Sequence, residues 1–306
     1  MVTTGLLAAA TWAGRHATSQ AVRRWRPGAG RSRTTGQLRV RTFGAGDPVV
    51  VLLHGMIAGG NFFGADFDRL AAEGTVVVPD LLGFGDSDRG PVPLTAADHL
   101  AALDDMLHAL ALGGRRLVVV GHSMGGVVAL RWAAEHIGRV AAVVTFCAPL
   151  YRSRAEADAG MRRMGLFEAL LTGDGPMPRT MCAWMCRFRT TASWLAVAIR
   201  PDLPVEVARS AVEHTWSSYS GSLNSFIHNE EWEPALHRLA ATGVPVVLAE
   251  AAHDPVPVPG RAADLTAERP GRTYALHPTA DHGLPLVDGP WCAELVADVC
   301  RAGTAR

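Results

Sequence analysis

With 306 residues, 48% of them hydrophobic, and a formal charge of zero, the chain is long enough to bury one large core and too balanced to be drawn to nucleic acid by an overall field. No stretch approaches the roughly eighteen apolar residues of a membrane span. Five cysteines (Cys147, Cys182, Cys186, Cys292 and Cys300) are an odd number without the ligand spacing of a zinc site, so reduced thiols, no bound metal and a cytoplasmic setting are expected.

The chain opens on a basic arm. Residues 1–46 hold eight arginines and no acidic residue, which leaves a formal charge of −8 on 47–306. All 29 basic residues are arginine, a sign of base composition rather than chemistry. Residues 5–10 are apolar and Arg23-Arg24 is a twin arginine, but an export signal needs its charge before its apolar stretch, the reverse order. Residues 1–36 read as an arm frayed from or packed on the body. The alternative is an amphipathic helix around Leu6, Leu7, Trp12, Val22 and Trp25 that makes a weak membrane-surface contact.

Beyond the arm, residues 38–43 alternate apolar and polar side chains, as an exposed first strand at a sheet edge would. Apolar, β-rich runs follow at 48–53, 75–79, 116–120, 140–147, 244–249 and 272–276, with helical spacing at 61–72, 95–112, 124–136 and 290–301. That alternation predicts an α/β fold, a mostly parallel, doubly wound sheet covered on both faces. Roughly ninety residues separate the strands on either side of 150–243, far more than a crossover requires. Their Met- and Trp-rich helical composition predicts an inserted helical cap at 151–235 between core segments 37–150 and 236–306.

Within this order, Gly121-His122-Ser123-Met124-Gly125 follows a strand and opens a helix. A sharp strand-to-helix turn there presents the serine hydroxyl at the sheet end and admits only small neighbours. Such a hydroxyl needs a base, and His282, in a turn-like segment past the last strand, is the candidate ahead of His277 and His253. The base needs an orienting carboxylate. Asp254 follows the strand before it and completes the order Ser, Asp, His, whereas Asp281 adjoins the histidine and should point away. Backbone amides of Met124 and Met56, the latter after His54-Gly55, are the expected oxyanion donors, each worth about 3 kcal/mol of barrier. His54 and His122 are expected to shape the loops rather than react.

Together with Pro79-Asp80-Leu81-Leu82-Gly83-Phe84-Gly85-Asp86-Ser87, these motifs resemble the α/β-hydrolase superfamily over about 37–300. The resemblance implies eight strands, a cap after the sixth, and acyl transfer through a serine ester with no cofactor. Serine at 123 argues against the aspartate-nucleophile relatives, the haloalkane dehalogenases and epoxide hydrolases. Glu250-Ala251-Ala252-His253 departs from the pattern, since a glycine commonly stands there. The expected substrate is a small, largely apolar carboxylic ester or related lactone or thioester, under a cap whose methionines and tryptophans either roof the pocket or fill the cap's own core. Two other readings share these residues: a carbon–carbon bond hydrolase of a diketo acid held by cap arginines such as Arg187 and Arg189, and a non-catalytic ligand-binding protein on the same fold.

Overall fold

The computed structural model describes residues 24–164, 175–267 and 269–304. Eight strands form one sheet: β1 (Arg31–Thr35), β2 (Leu38–Gly44), β3 (Val49–Leu53), β4 (Thr75–Pro79), β5 (Leu117–His122), β6 (Val140–Phe146), β7 (Val246–Ala251) and β8 (Arg272–His277). Their order is β1-β2-β4-β3-β5-β6-β7-β8. β2 pairs antiparallel with β1 and with β4, and every pair from β4 to β8 is parallel.

The central strands are continuous apolar runs because both of their faces are covered. In β3, Val49, Val51 and Leu53 enter one core, and Val50 and Leu52 enter the other. None of the five exposes any surface, and burying each such side chain contributes about 1.5–3 kcal/mol. The first core is closed by α1 (Ala96–Ala109) and α2 (Met124–Glu135), through Leu103, Met106, Val128 and Trp132. Thr95 starts α1 with a capping box completed by Asp98.

Between β6 and β7 lie α3 (Arg154–Met164), α4 (Pro176–Arg187), α5 (Arg189–Ile199), α6 (Val205–Ser210), α7 (Trp216–Ser222) and α8 (Trp232–Ala241). The chain then adds α9 (Arg261–Thr266), α10 (Leu284–Val287) and α11 (Gly289–Thr304). α8 belongs to the sheet layer: Trp232, Leu236 and Leu239 are fully buried in the first core. The second core lies under the 3₁₀ segment Ala65–Ala72 and α11, which supply Phe67, Leu70, Cys292 and Val296.

Two expectations shift. The edge strand is β1, not β2, so the end of the presumed arm is part of the sheet, and Leu38 and Val40 of β2 are wholly buried. The cap boundary expected at 235 falls inside α8. The insertion is pinned at its base where the Trp232 indole N–H donates to the Tyr151 carbonyl at 2.6 Å, so Trp232 closes the base of the insertion and cannot roof a pocket. The arm's earlier apolar positions, Leu6 to Val22, lie outside the described residues; Trp25 packs beside Phe62, Ala58, Val207 and Leu286. Among the described residues no helix is long and apolar enough to cross a membrane.

Candidate active site

Strand order dictates where the chemistry gathers. The chain leaves β3 for β4 on one side, then returns to β5 on the other, so the loops after β3 and β5 diverge at their carboxyl ends and leave a crevice. Leu53 pairs with Gly121 across that divergence, which brings the His54-Gly55-Met56 loop against the Ser123 turn.

Ser123 itself has φ 53° and ψ −125°, a conformation that a residue with a side chain adopts only when its surroundings over-determine it. Its N–H donates to the Phe146 carbonyl at 2.8 Å, and its own carbonyl accepts from Gly126 at 2.8 Å. The neighbouring glycines are steric necessities. A Cβ on Gly121 would collide with the Gly125 carbonyl, and one on Gly125 with the Leu53 carbonyl and, at 2.5 Å, the His54 carbonyl. Gly55 sits so close that a Cβ there would lie 3.0 Å from the Ser123 Cβ.

Three side chains from three strand ends form one hydrogen-bonded line. His282 Nε2 is 3.0 Å from Ser123 Oγ, and His282 Nδ1 is 2.9 Å from Asp254 Oδ2. A carboxylate only accepts, so the neutral ring carries its proton on Nδ1, leaving Nε2 to accept from the serine hydroxyl. The Asp254 side chain is almost wholly buried and its second oxygen accepts from the Val256 N–H at 2.8 Å. Burial opposes charge on Asp254, but His282, the Val256 amide and the Cys147 thiol outweigh it and hold the carboxyl below its usual range. Burial likewise opposes a cation on His282, yet Asp254, by charge and hydrogen bond, and Asp281 raise its pKa above the ordinary value.

The competing residues are engaged elsewhere. Asp281 accepts from the Gly283 N–H at 2.8 Å, His253 bonds the Thr279 carbonyl, and His277 lies 3.2 Å from Asp288. His54 accepts the Leu81 N–H on Nε2 at 2.8 Å, so its Nδ1–H must donate to the Gly55 carbonyl at 2.7 Å. The ring thereby staples the loop after β3 to the end of β4, and burial lowers its pKa and keeps it neutral.

Cys147 and Glu250 belong to no motif, and His122, expected to shape a loop, does so through a bond that no motif gives. His122 donates from Nε2 to the His282 carbonyl at 2.7 Å and stacks on Phe62 at 4.6 Å, fixing the loop that carries the histidine. Burial depresses its pKa to about 3. Cys147, buried at φ 55°, lies near Asp254, and burial raises its thiol pKa strongly. Glu250 is pushed up to about 7 by burial and accepts from the Tyr274 hydroxyl at 3.2 Å, which spares Asp254 a second full negative charge nearby at neutral pH. These are tertiary arrangements without a local pattern.

Metal-ligand atoms of His122, Cys147 and His282 lie within 4.8 Å of one another. The thiol is held protonated and both His282 nitrogens are committed, so this donor set does not suit an ion. The first residue of α2 is Met124, whose amide lies among the helix-start donors without an intrahelical acceptor. Met56 follows Gly55 in a turn where Ile57 adopts φ 59°, a strained value for a β-branched residue.

A doubly wound sheet with an antiparallel edge, a strained serine at a strand-to-helix turn, and late-chain Asp and His converging on it define the α/β-hydrolase class. The chain belongs to the alpha/beta hydrolase family, whose model matches residues 50–298. It is 29% identical over 262 residues to a Klebsiella pneumoniae protein with the provisional name carbamate hydrolase RutD, covering 83% of this chain and 91% of that one. Two solved structures show the fold alone. A haloalkane dehalogenase mutant from Agrobacterium tumefaciens superposes with TM-score 0.67 at 20% identity, over 89% of this chain and 96% of the other. A thermophilic esterase from Thermogutta terrifontis gives 0.64 at 19%, over 89% and 99%. The chain spans about a quarter to a third of the length of several other curated relatives that it matches.

Proposed function

We propose that this protein is a serine hydrolase that cleaves a carboxylic ester, or a lactone or thioester, of a largely apolar small molecule through an acyl-enzyme on Ser123. The observation that carries this reading is the Ser123–His282–Asp254 line, with bonds of 3.0 and 2.9 Å, at a strained serine. His282 Nε2 takes the hydroxyl proton as Oγ attacks the carbonyl carbon, and Asp254 stabilises the imidazolium that forms. The amides of Met56 and Met124 receive the oxyanion. His282 then gives the proton to the departing alcohol, and water repeats the sequence to release the acid and regenerate Ser123. Phe62 stacks on His122 within a buried apolar cluster with Val207, Leu286 and Ala58, so the surroundings of the site are apolar.

Carbon–carbon cleavage of a diketo acid would need a free cation over the serine. Arg189 is instead paired with Glu213, and Arg187 is exposed beside Phe188 on the cap. The non-catalytic reading leaves a strained serine and a committed histidine tautomer without a purpose. The test is turnover of p-nitrophenyl esters from acetate to long acyl chains by wild type and Ser123→Ala. Release that falls by about three orders of magnitude or more in the variant, with an optimum in chain length, is expected. Full turnover by Ser123→Ala would overturn the scheme, and failure of a fluorophosphonate to label Ser123 in folded protein would revive the binding-protein reading.

A further inference from the structure

The cap helices α4 and α5 are inside out. On α4 and at Phe188, which caps its end, Met177, Met181, Trp184 and Phe188 recur at helical spacing and are exposed, while Pro178 and Cys182 face inward. On α5 the buried residues are the small Ala192 and Ser193, and Trp194, Leu195 and Ile199 face outward. Seven of the ten large apolar side chains exposed among the described residues therefore sit on this one helix pair. Scattered exposed apolar residues need no explanation; a concentration on one helix pair does.

The charges carried by this helix pair have one sign. From 175 to 201 the sequence has four arginines, Arg179, Arg187, Arg189 and Arg200, and no aspartate or glutamate. Arg189 pairs with Glu213 and Arg200 with Asp202, whereas Arg179 and Arg187 are exposed and form no ion pair among the described residues. Arg187 lies over the Phe188 ring at 6.0 Å, and Arg209 of α6 over the Trp194 ring at 4.8 Å. Aromatic and aliphatic groups with arginines alongside them match the acyl boundary and the anionic headgroups of a phospholipid surface.

We infer that the α4–α5 face of the cap is a docking surface for anionic phospholipid, seating Trp184, Phe188, Trp194 and Ile199 at the headgroup–acyl boundary with Arg187 and Arg209 on the lipid phosphates. A second copy of the chain fits less well: a two-fold interface sets the same patch against itself, and this patch would bring arginines together with no carboxylate between them. The surface contains none of the residues of the Ser123 line, and its test needs no catalysis.

The test is co-sedimentation of the full chain with vesicles of phosphatidylcholine alone and with about one-third phosphatidylglycerol. Wild type and two double variants, Trp194→Ser/Ile199→Ser and Arg187→Glu/Arg209→Glu, would be compared, with circular dichroism confirming each fold. The mutated apolar positions are 54% and 55% exposed, so the fold should hold. Binding to the anionic vesicles only, weakened by salt and reduced at least about tenfold in both variants, is expected. Undiminished binding by both variants would assign the contact to another part of the chain, including the arm, and overturn the inference. Absence of binding together with a concentration-dependent dimer that Trp194→Ser/Ile199→Ser abolishes would overturn it in favour of self-association, and absence of both would overturn it outright.

Discussion

At the residue scale, the state of one imidazole sets the response to pH. His282 must be neutral to accept the serine proton, and Asp254 and Asp281 raise its pKa above the ordinary 6.5 despite the opposing effect of burial. The acid limb of kcat/KM should therefore lie above 6.5, with activity lost as pH falls through it. Asp254→Asn removes the main charge responsible, so the limb should move to lower pH while kcat drops by roughly three to four orders of magnitude. A pH–rate profile of both proteins checks this: an unmoved limb with kcat retained would separate Asp254 from the reaction. The three residues of the line were legible in sequence because a turn motif and chain order both constrain them. That His54 and His122 shape the loops was legible too, but not the bonds by which they do so. The His54 tautomer depends on an amide donated from Leu81, and the grip of His122 on the His282 carbonyl joins positions 160 residues apart.

At the element scale, the turn at Ser123 depends on three strands at once. β5 must end under α2, and α2 must begin against the end of β3, leaving no room for a methyl group at Gly125 between the Leu53 and His54 carbonyls. Both obstacles are backbone atoms, one in β3 and the other in the residue that follows it, so neither can swing aside as a side chain could. Gly125→Ala should destabilise the protein by about 3 kcal/mol and abolish ester turnover together. Thermal unfolding and an activity assay on the same sample check it; a variant that melts like wild type would mean that the elbow relaxes. The central strands were readable because burial on both faces writes an unbroken apolar run. β1 was not, since its residues Arg-Ser-Arg-Thr-Thr are exposed on all but the last and pair on one side only, the usual composition of a protected edge. The inward and outward faces of α4 and α5 were equally hidden, because apolar spacing identifies a stripe without saying what it meets, and here small residues are buried and large ones exposed.

Across the whole molecule, the cap is held over the sheet by a few polar joints. Its base is closed by Trp232 on Tyr151 and by the Tyr151 hydroxyl, which donates to the Val256 carbonyl at 2.6 Å. Its far side is tied down around Glu213: the carboxylate binds Arg189 of α5 and, at 3.5 Å, Arg89 of the core, while Arg89 also donates to the Glu213 carbonyl at 3.1 Å. Nearby, Asn61 donates to the Glu206 carbonyl at 2.9 Å, beside the Phe62 that stacks on His122. Glu213→Gln would leave two half-buried guanidinium groups facing each other without a counter-charge. The cost should be about 1–2 kcal/mol, less than for a fully buried pair because both arginines are partly solvated. That energy falls on the cap and not on the sheet, whose cores lie beneath. Cleavage within 175–210 by a dilute protease should accelerate roughly tenfold while the global melting temperature falls by only about 2–4 °C. Turnover of a short ester, which needs only the Ser123 line, should stay within about twofold, and KM for a long acyl chain should rise. If proteolysis and KM were both unchanged, the Tyr151–Trp232 base alone would hold the cap; if short-ester turnover collapsed as well, the cap would be part of the catalytic geometry itself.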